Sequence, residues 1–215
     1  MERIRVLLAN HHPIIRSSLR LLLEREPRVR VIGEAANERE AIVLSEYLNP
    51  DITLLNVKLP HVAGIPAARE ISAKGPNPKT IFVSALTDEG YVYEAFKAGA
   101  RGYVLGDEAQ ADLVTGVLVV AKGGVFLSPL ISSHLIDDCK RRNNLEDCDI
   151  SDYQRRLFCW LAEGIDEREI SRRLDTNAEA VSSDCDKLRN LLQRIGIPDI
   201  ILNSTGQPAP SGITT

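Results

Sequence analysis

The sequence predicts a doubly wound α/β domain with a five-stranded parallel sheet, followed by a small all-α domain. The first 130 residues alternate short apolar runs of strand length with longer segments whose apolar residues recur at helical spacing. Five such strand–helix units require right-handed crossovers, which cover both faces of a parallel sheet with helices. From residue 151 onward, three segments of helical periodicity follow without an intervening strand.

Apolar runs mark the predicted strands. The first run, IRVLLA, is almost continuously apolar, as is typical of strands that are buried on both faces. The other runs, such as DITLLNV and TIFVSA, have the same length and character. We predict strands at residues 4–9, 29–33, 51–57, 80–85 and 102–105.

The segments between these runs carry the helices. Pro13 suits the first turn of a helix, and Leu19, Leu22 and Leu23 follow at helical spacing. The breakers at 75–78 and the pair Gly123–Gly124 mark helix ends. We predict helices at residues 13–26, 38–48, 65–73, 90–98 and 109–122.

Polar and small residues follow the predicted strands. In doubly wound folds, ligands bind at the carboxyl ends of the strands, so these residues are the candidates for a site. They are Asn10, His11, His12, Asn56, Lys58, Ser84 and Gly106, with Tyr103 on the last strand.

The second domain has the pattern of a helix-turn-helix. Ser151 can cap a first helix that Gly164 ends, and Asn177 can cap a third helix that reaches about Ile195. A short helix at 167–174 precedes the third one. We predict that the α/β domain spans 1–128, followed by a linker at 129–149, a helix-turn-helix domain at 150–203 and a disordered tail at 204–215.

Composition excludes several classes of protein. The chain has 26 basic and 30 acidic residues, which argues against an indiscriminate nucleic-acid binder but allows a local basic face. Because it shows neither a membrane-spanning run nor a secretory signal, we expect a cytoplasmic protein without membrane association. The four cysteines match no zinc motif, and we expect reduced thiols that act as small hydrophobes.

Four segments carry a resemblance to a known family. IRVLLANHHPIIRSSLRLLLE, LLNVKLPHVAG, SALTDEGYVYEAFKAGARGYVLGDEA and LAEGIDEREISRRL occur in this order. The chain resembles a two-component response regulator of the NarL/FixJ family, which joins a CheY-like receiver to a LuxR-type helix-turn-helix domain. The resemblance implies regulation of transcription and no enzyme activity.

The resemblance also implies a phosphorylation site, and this sequence departs from it. The family's receivers accept a phosphoryl group on an Asp after the third strand, where this chain has Asn56. Asn10 and His11 replace the acid pair that holds Mg²⁺, and Gly106 replaces the lysine. Only Ser84 and Tyr103 match the family's switch hydroxyl and aromatic. We therefore expect a pseudo-receiver with no catalytic residue, no cofactor, lost Mg²⁺ binding and no phosphotransfer from a histidine kinase.

Two interpretations of the altered pocket stay open. It binds a small-molecule ligand such as a metabolite, or its amides and imidazoles satisfy one another's hydrogen bonds. We favour the second. A metal site at His11 and His12 is disfavoured because neighbouring residues on a strand-to-helix turn are expected to point in different directions.

The third helix of the second domain is unusually acidic for a DNA-reading helix. Asp184 and Asp186 stand where the resemblance implies basic residues or histidine, so phosphate repulsion would weaken binding. The alternative to DNA contact is that the arginines pair with nearby carboxylates on a solvated surface. The candidate DNA contacts are Arg168, Arg172, Ser182, Ser183, Lys187 and Arg189.

We expect an atypical, phosphorylation-independent transcriptional regulator with weakened DNA binding. The alternative is a pseudo-regulator that acts through an unidentified protein partner without binding DNA. The helix after Pro198 looks truncated, so dimerisation through it is doubtful. A homodimer could instead use the apolar cluster at 125–140, unless that cluster packs on the last helix of the receiver-like domain.

Overall fold

The computed structural model describes residues 3–57, 64–74, 79–84, 89–106, 109–145, 149–198 and 201. The described strands form one parallel sheet in the order β2-β1-β3-β4-β5-β6. The predicted doubly wound α/β class is confirmed. The sheet has a sixth strand that was not predicted, because its two residues are too few to show a periodic pattern of apolar residues. The strands are β1 (Ile4–Ala9), β2 (Val29–Ala35), β3 (Ile52–Asn56), β4 (Lys79–Ser84), β5 (Gly102–Leu105) and β6 (Phe126–Leu127).

The strands and helices begin and end close to the predicted positions. Strand β2 runs two residues further than predicted, to Ala35, and α1 ends two residues earlier, at Glu24. The helices are α1 (Pro13–Glu24), α2 (Glu38–Leu48), α3 (Gly64–Lys74), α4 (Glu89–Lys97), α5 (Ala109–Ala121), α6 (Pro129–Arg142), α7 (Asp152–Ala162), α8 (Glu167–Arg173) and α9 (Ala178–Arg194).

Each face of the sheet is covered by its own apolar layer. On one face, Leu8 and Leu54 pack with Leu19 of α1 and Val117 of α5. On the other face, residues such as Leu55 and Phe82 pack with side chains of α3 and α4. Strands buried on both sides explain why the apolar runs in the sequence are nearly continuous.

The segment predicted as a linker at 129–149 is largely a packed helix. Ile131, Leu135 and Ile136 of α6 are fully buried, and α6 packs between α4 and α7. The predicted linker thus contains a packed helix over Pro129–Arg142, whose apolar face is buried, and the division into domains stays a prediction. Within the apolar cluster at 125–140, the Phe126 ring lies next to Gly116 of α5. The part of the cluster on α6 packs mainly against α4 and α7 instead.

The helical domain has the predicted caps. The Ser151 hydroxyl and the Gln154 side chain form a capping box at the start of α7, and the Asn177 side chain accepts hydrogen bonds from two backbone N–H groups of α9. Gly164 ends α7 with a φ of +78°, in the left-handed region. The three helices therefore form where their local signals predict.

Helices α6 and α7 join the two domains. The Arg155 guanidinium of α7 forms an ion pair with Asp137 of α6 at 2.7 Å. At the far end of α6, the Asn143 side chain donates to the Ile195 carbonyl after α9, at 2.9 Å. The two domains thus share one continuous apolar cluster.

The predicted tail at 204–215 lies outside the described residues, and so does the truncated helix after Pro198, apart from Ile201. Within the part of the chain that is described, no helix is long and apolar enough to cross a membrane.

Candidate functional site

The predicted site lies at the carboxyl edge of the sheet. Asn10 follows β1, Asn56 ends β3, Ser84 ends β4 and Gly106 follows β5, and these four strands are neighbours. The Gly106 N–H donates to the Ser84 carbonyl at 2.7 Å, which ties the last two positions together. The structure therefore places these candidates along one edge, while Lys58 lies outside the described residues.

Asn10 is buried and holds the turn into α1. Its Oδ1 accepts from the backbone N–H of His12 at 2.8 Å, and its carbonyl oxygen accepts from Arg16 Nη1 at 2.7 Å. Its own N–H donates to the Ala35 carbonyl at 3.1 Å. The Asn10 amide thus has a structural role in the turn.

An arginine pair and a glutamate lie beside Asn10. Glu34, at the end of β2, forms ion pairs with Arg16 at 2.9 Å and with Arg20 at 2.8 Å. Their guanidinium groups, that of Arg20 first, hold the pKa of Glu34 below its ordinary value. This cluster was not predicted, because Arg20 and Arg16 are 14 and 18 residues away from Glu34 in the sequence and lie on a different element.

This edge does not fit Mg²⁺. A hard divalent cation requires several oxygen ligands, preferably carboxylates, but Asn10 Oδ1 already accepts a hydrogen bond. The Arg16 guanidinium, which donates to the Asn10 carbonyl, also places a positive charge beside Asn10. Among the described residues, no group of three or more His, Cys, Asp or Glu side chains is placed to hold a metal ion.

The two histidines pack against each other. The ring centroids of His11 and His12 are 3.7 Å apart, with a tilt of 44° between the ring planes. The expectation that the two side chains point in different directions is therefore wrong. The backbone of His12, which precedes Pro13 at the start of α1, is extended.

Close backbone packing surrounds Asn56. The Gly64 N–H donates to the Val57 carbonyl at 2.8 Å, and a Cβ on Gly64 would lie 2.3 Å from the Asn56 carbonyl oxygen. Only glycine allows α3 to begin so close to the end of β3. On the neighbouring strands, Ser84 and Tyr103 are buried, and the Tyr103 ring packs near Phe82.

Ser128 connects this edge to α6. Its buried Oγ accepts from the Leu105 N–H at 3.2 Å and donates to Asp112 Oδ2 at 2.6 Å. Its own N–H donates to the Tyr103 carbonyl at 3.1 Å. The contacts of Ser128 with Leu105 and Asp112 could not be predicted from the sequence, because a serine before Pro129 indicates only the start of a helix.

Three of the six candidate DNA contacts on the helix-turn-helix form ion pairs. Arg172 pairs with Glu169 at 2.8 Å, and Lys187 pairs with Asp184 at 3.1 Å. Arg189 bridges two helices, as it contacts Glu167 of α8 at 2.9 Å and Asp186 of α9 at 2.7 Å. These pairs match the predicted alternative to DNA contact.

The two aspartates of α9 differ in their surroundings. Asp184 accepts from the Tyr153 hydroxyl of α7 at 3.0 Å, and burial, followed by this hydrogen bond, raises the pKa of Tyr153. Asp186 is exposed and its carboxylate pairs with Arg189. The remaining candidates, Arg168, Ser182 and Ser183, are exposed or half-buried.

Comparison with known proteins agrees with this fold. The response regulator receiver domain model matches residues 6–118, which is more than half of the chain. The transcriptional regulatory protein DegU of Brevibacillus brevis is 26% identical over 92% of this chain and 90% of its own length. The nitrate/nitrite response regulator protein NarL of Escherichia coli is 28% identical over 82% of this chain and 83% of its own length.

A solved structure of similar fold is a LuxR-family two-component response regulator from Aurantimonas. It has a TM-score of 0.62 and 31% identity, and the match covers 64% of this chain and 98% of that one. The chain described here belongs to the response regulator receiver family, and its resemblance to the NarL/FixJ regulators is confirmed.

Proposed function

We propose that this chain is a cytoplasmic, phosphorylation-independent transcriptional regulator that binds DNA weakly and has no enzyme activity. The observation that carries the proposal is the neutral edge of the sheet. Asn10, His11 and Asn56 stand at the family's acidic positions within an otherwise intact receiver fold.

The chemistry of the edge supports independence from phosphorylation. The Asn56 amide is not an adequate nucleophile and cannot form an acyl phosphate. No carboxylate stands at Asn10 or His11 to hold Mg²⁺, the cation that offsets the charge of a transferring phosphoryl group in the family's receivers. A histidine kinase therefore has no acceptor at this position.

The helix-turn-helix supports a weakened contact with DNA. Relatives such as DegU are named as transcriptional regulatory proteins. In this chain, a bound DNA would compete with Glu169, Asp184 and Asp186 for the basic side chains. In the described structure, the candidate contacts Arg168, Ser182 and Ser183 form no ion pair. Arg172, Lys187 and Arg189 would have to break their ion pairs with carboxylates before they could contact a phosphate.

A mobility-shift assay of the full chain on its own upstream DNA at low salt tests this proposal. Asp186→Lys is the informative variant, because Arg189 keeps its contact with Glu167 when Asp186 is removed. We expect weak retardation by the wild type and stronger retardation by the variant. Asp152→Lys is the matched control: it makes the same charge change at an exposed site on α7, and should leave the affinity close to that of the wild type.

The second candidate function is regulation by protein contact alone. The excess of acidic over basic side chains in the helical domain favours it, since residues 149–215 include 11 acidic and 8 basic residues. Absence of retardation by the wild type at low salt would contradict the DNA-binding proposal and leave this one. A homodimer is compatible with both functions.

A further inference from the structure

The Asp184 carboxylate on α9 accepts hydrogen bonds from two side chains at once. The Tyr153 hydroxyl of α7 donates to Oδ2 at 3.0 Å, and Lys187 Nζ donates to Oδ1 at 3.1 Å. Because a carboxylate has several acceptor positions on its two oxygens, the two donors do not compete. Asp184 therefore keeps one donor when the other leaves.

The Tyr153 hydroxyl is the fixed donor of the two. Its ring is half-buried and packs against the apolar cluster that the two domains share. It lies in the first turn of α7, directly after the capping box at Ser151. Burial, followed by the hydrogen bond to Asp184, raises the pKa of Tyr153, so the hydroxyl keeps its proton and remains a donor.

The Lys187 ammonium is the donor that can leave. Its side chain is 72% exposed, whereas that of Arg189 is only 25% exposed. Lysine has a long, flexible stem, and an exposed ion pair of this kind contributes little free energy. Lys187 can therefore turn from Asp184 toward a phosphate at a low cost.

The cost of that turn depends on what Asp184 retains. A partly buried carboxylate that loses every donor is destabilised, but Asp184 still has the Tyr153 hydroxyl after Lys187 has left. Arg189 is in the opposite situation, because it pairs with one carboxylate on α8 and another on α9, and both would lose it. The arrangement thus frees Lys187 and retains Arg189 as a bridge between helices.

We propose that Tyr153 is a positioning residue for DNA binding. It holds the Asp184 carboxylate on α7, so that Lys187 can exchange this carboxylate for a DNA phosphate. The inference rests on the proposed DNA-binding function and adds a role for a residue of α7 that lies outside the candidate contacts.

Fluorescence anisotropy of the full chain on its own upstream DNA, repeated over a series of salt concentrations, tests the proposal. Lys187→Gln removes one phosphate contact, so the slope of log affinity against log salt should become shallower by about 0.9. Tyr153→Phe should weaken binding about two- to tenfold and flatten the slope by the same amount, because Lys187 then stays with Asp184. Lys187→Gln should cause no further flattening in the Tyr153→Phe background.

Asp184→Asn separates positioning from a general loss of structure. It removes the charge that holds Lys187, so Asp184→Asn/Tyr153→Phe should recover the wild-type slope, which a poorly folded domain would not do. Tyr47→Phe is the matched control, because it removes an 84% exposed hydroxyl on α2 and should bind like the wild type.

Three results would overturn the inference and leave the DNA-binding proposal in place. They are a wild-type slope for Tyr153→Phe, an equal flattening by Lys187→Gln with and without Tyr153, and a shallow slope for Asp184→Asn/Tyr153→Phe. Absence of binding by the wild type at low salt would overturn both proposals.

Discussion

At the scale of single residues, the altered edge is a connected structure. Asn10 holds the β1–α1 turn through its Oδ1 and carbonyl oxygens, and Arg16 links that turn to Glu34. An amide in place of the acid keeps the hydrogen bond to His12 while it removes the charge. The interpretation of the pocket as a self-satisfied hydrogen-bond cluster stays a prediction.

Restoring the acceptor alone should not restore phosphorylation. We expect Asn56→Asp to remain unmodified with acetyl phosphate and Mg²⁺, because Asn10 and His11 supply no carboxylate for the metal ion. The triple variant Asn10→Asp/His11→Asp/Asn56→Asp should take up one phosphoryl group, slowly, as Gly106 provides no cation. Intact-protein mass spectrometry measures both, and a phosphoryl adduct on the single variant would contradict the explanation.

Ser128 should be important for stability. Ser128→Ala removes the buried acceptor of the Leu105 N–H and the donor to Asp112, so we expect a loss of about 1–3 kcal/mol in the free energy of unfolding. Urea denaturation measures it. Ser133→Ala, on the helix that follows Ser128, serves as the control: Ser133 Oγ makes only a long contact with Cys159 Sγ at 3.8 Å, and its removal should change stability by less than about 0.5 kcal/mol. Equal losses in the two variants would disprove the assigned role.

At the scale of elements, local signals and distant contacts differ in how well the sequence predicts them. The caps at Ser151 and Asn177 and the helix end at Gly164 could be predicted, because each depends on a few neighbouring residues. The packing partners of α6 could not, since the apolar cluster at 125–140 is visible in the sequence but nothing local indicates that α4, α7 and β5 contact the helix. The Glu34 cluster was missed for the same reason, as its partners meet only in the folded chain.

The contact between α5 and α7 should be sensitive to a single methyl group. At Gly164, φ is +78° and a Cβ would lie 2.6 Å from a Val119 methyl carbon. Gly164→Ala should therefore destabilise the chain by more than the roughly 1–2 kcal/mol that a left-handed backbone costs an alanine. Gly99→Ala is the control, with φ of +91° and its nearest neighbouring atom at 3.4 Å. Urea denaturation compares the two variants, and a loss at Gly99 as large as that at Gly164 would argue against the packed α5–α7 contact.

At the scale of the whole molecule, a receiver fold and a helix-turn-helix share one apolar cluster through α6. Burial keeps Cys139 and Cys185 protonated inside this cluster by raising the pKa of each thiol to about 12, so both act as the expected small hydrophobes. The proposed function excludes control by phosphorylation, since Asn10, His11 and Asn56 carry no carboxylate. We infer that any signal reaching the helical domain begins with something other than a phosphoryl group.

The most direct test is the affinity of the full chain for its own upstream DNA, measured by fluorescence anisotropy at low salt with and without acetyl phosphate and Mg²⁺. The proposed function predicts saturable binding with the same Kd under both conditions. A Kd that tightens with acetyl phosphate, together with a phosphoryl adduct on the protein, would contradict it.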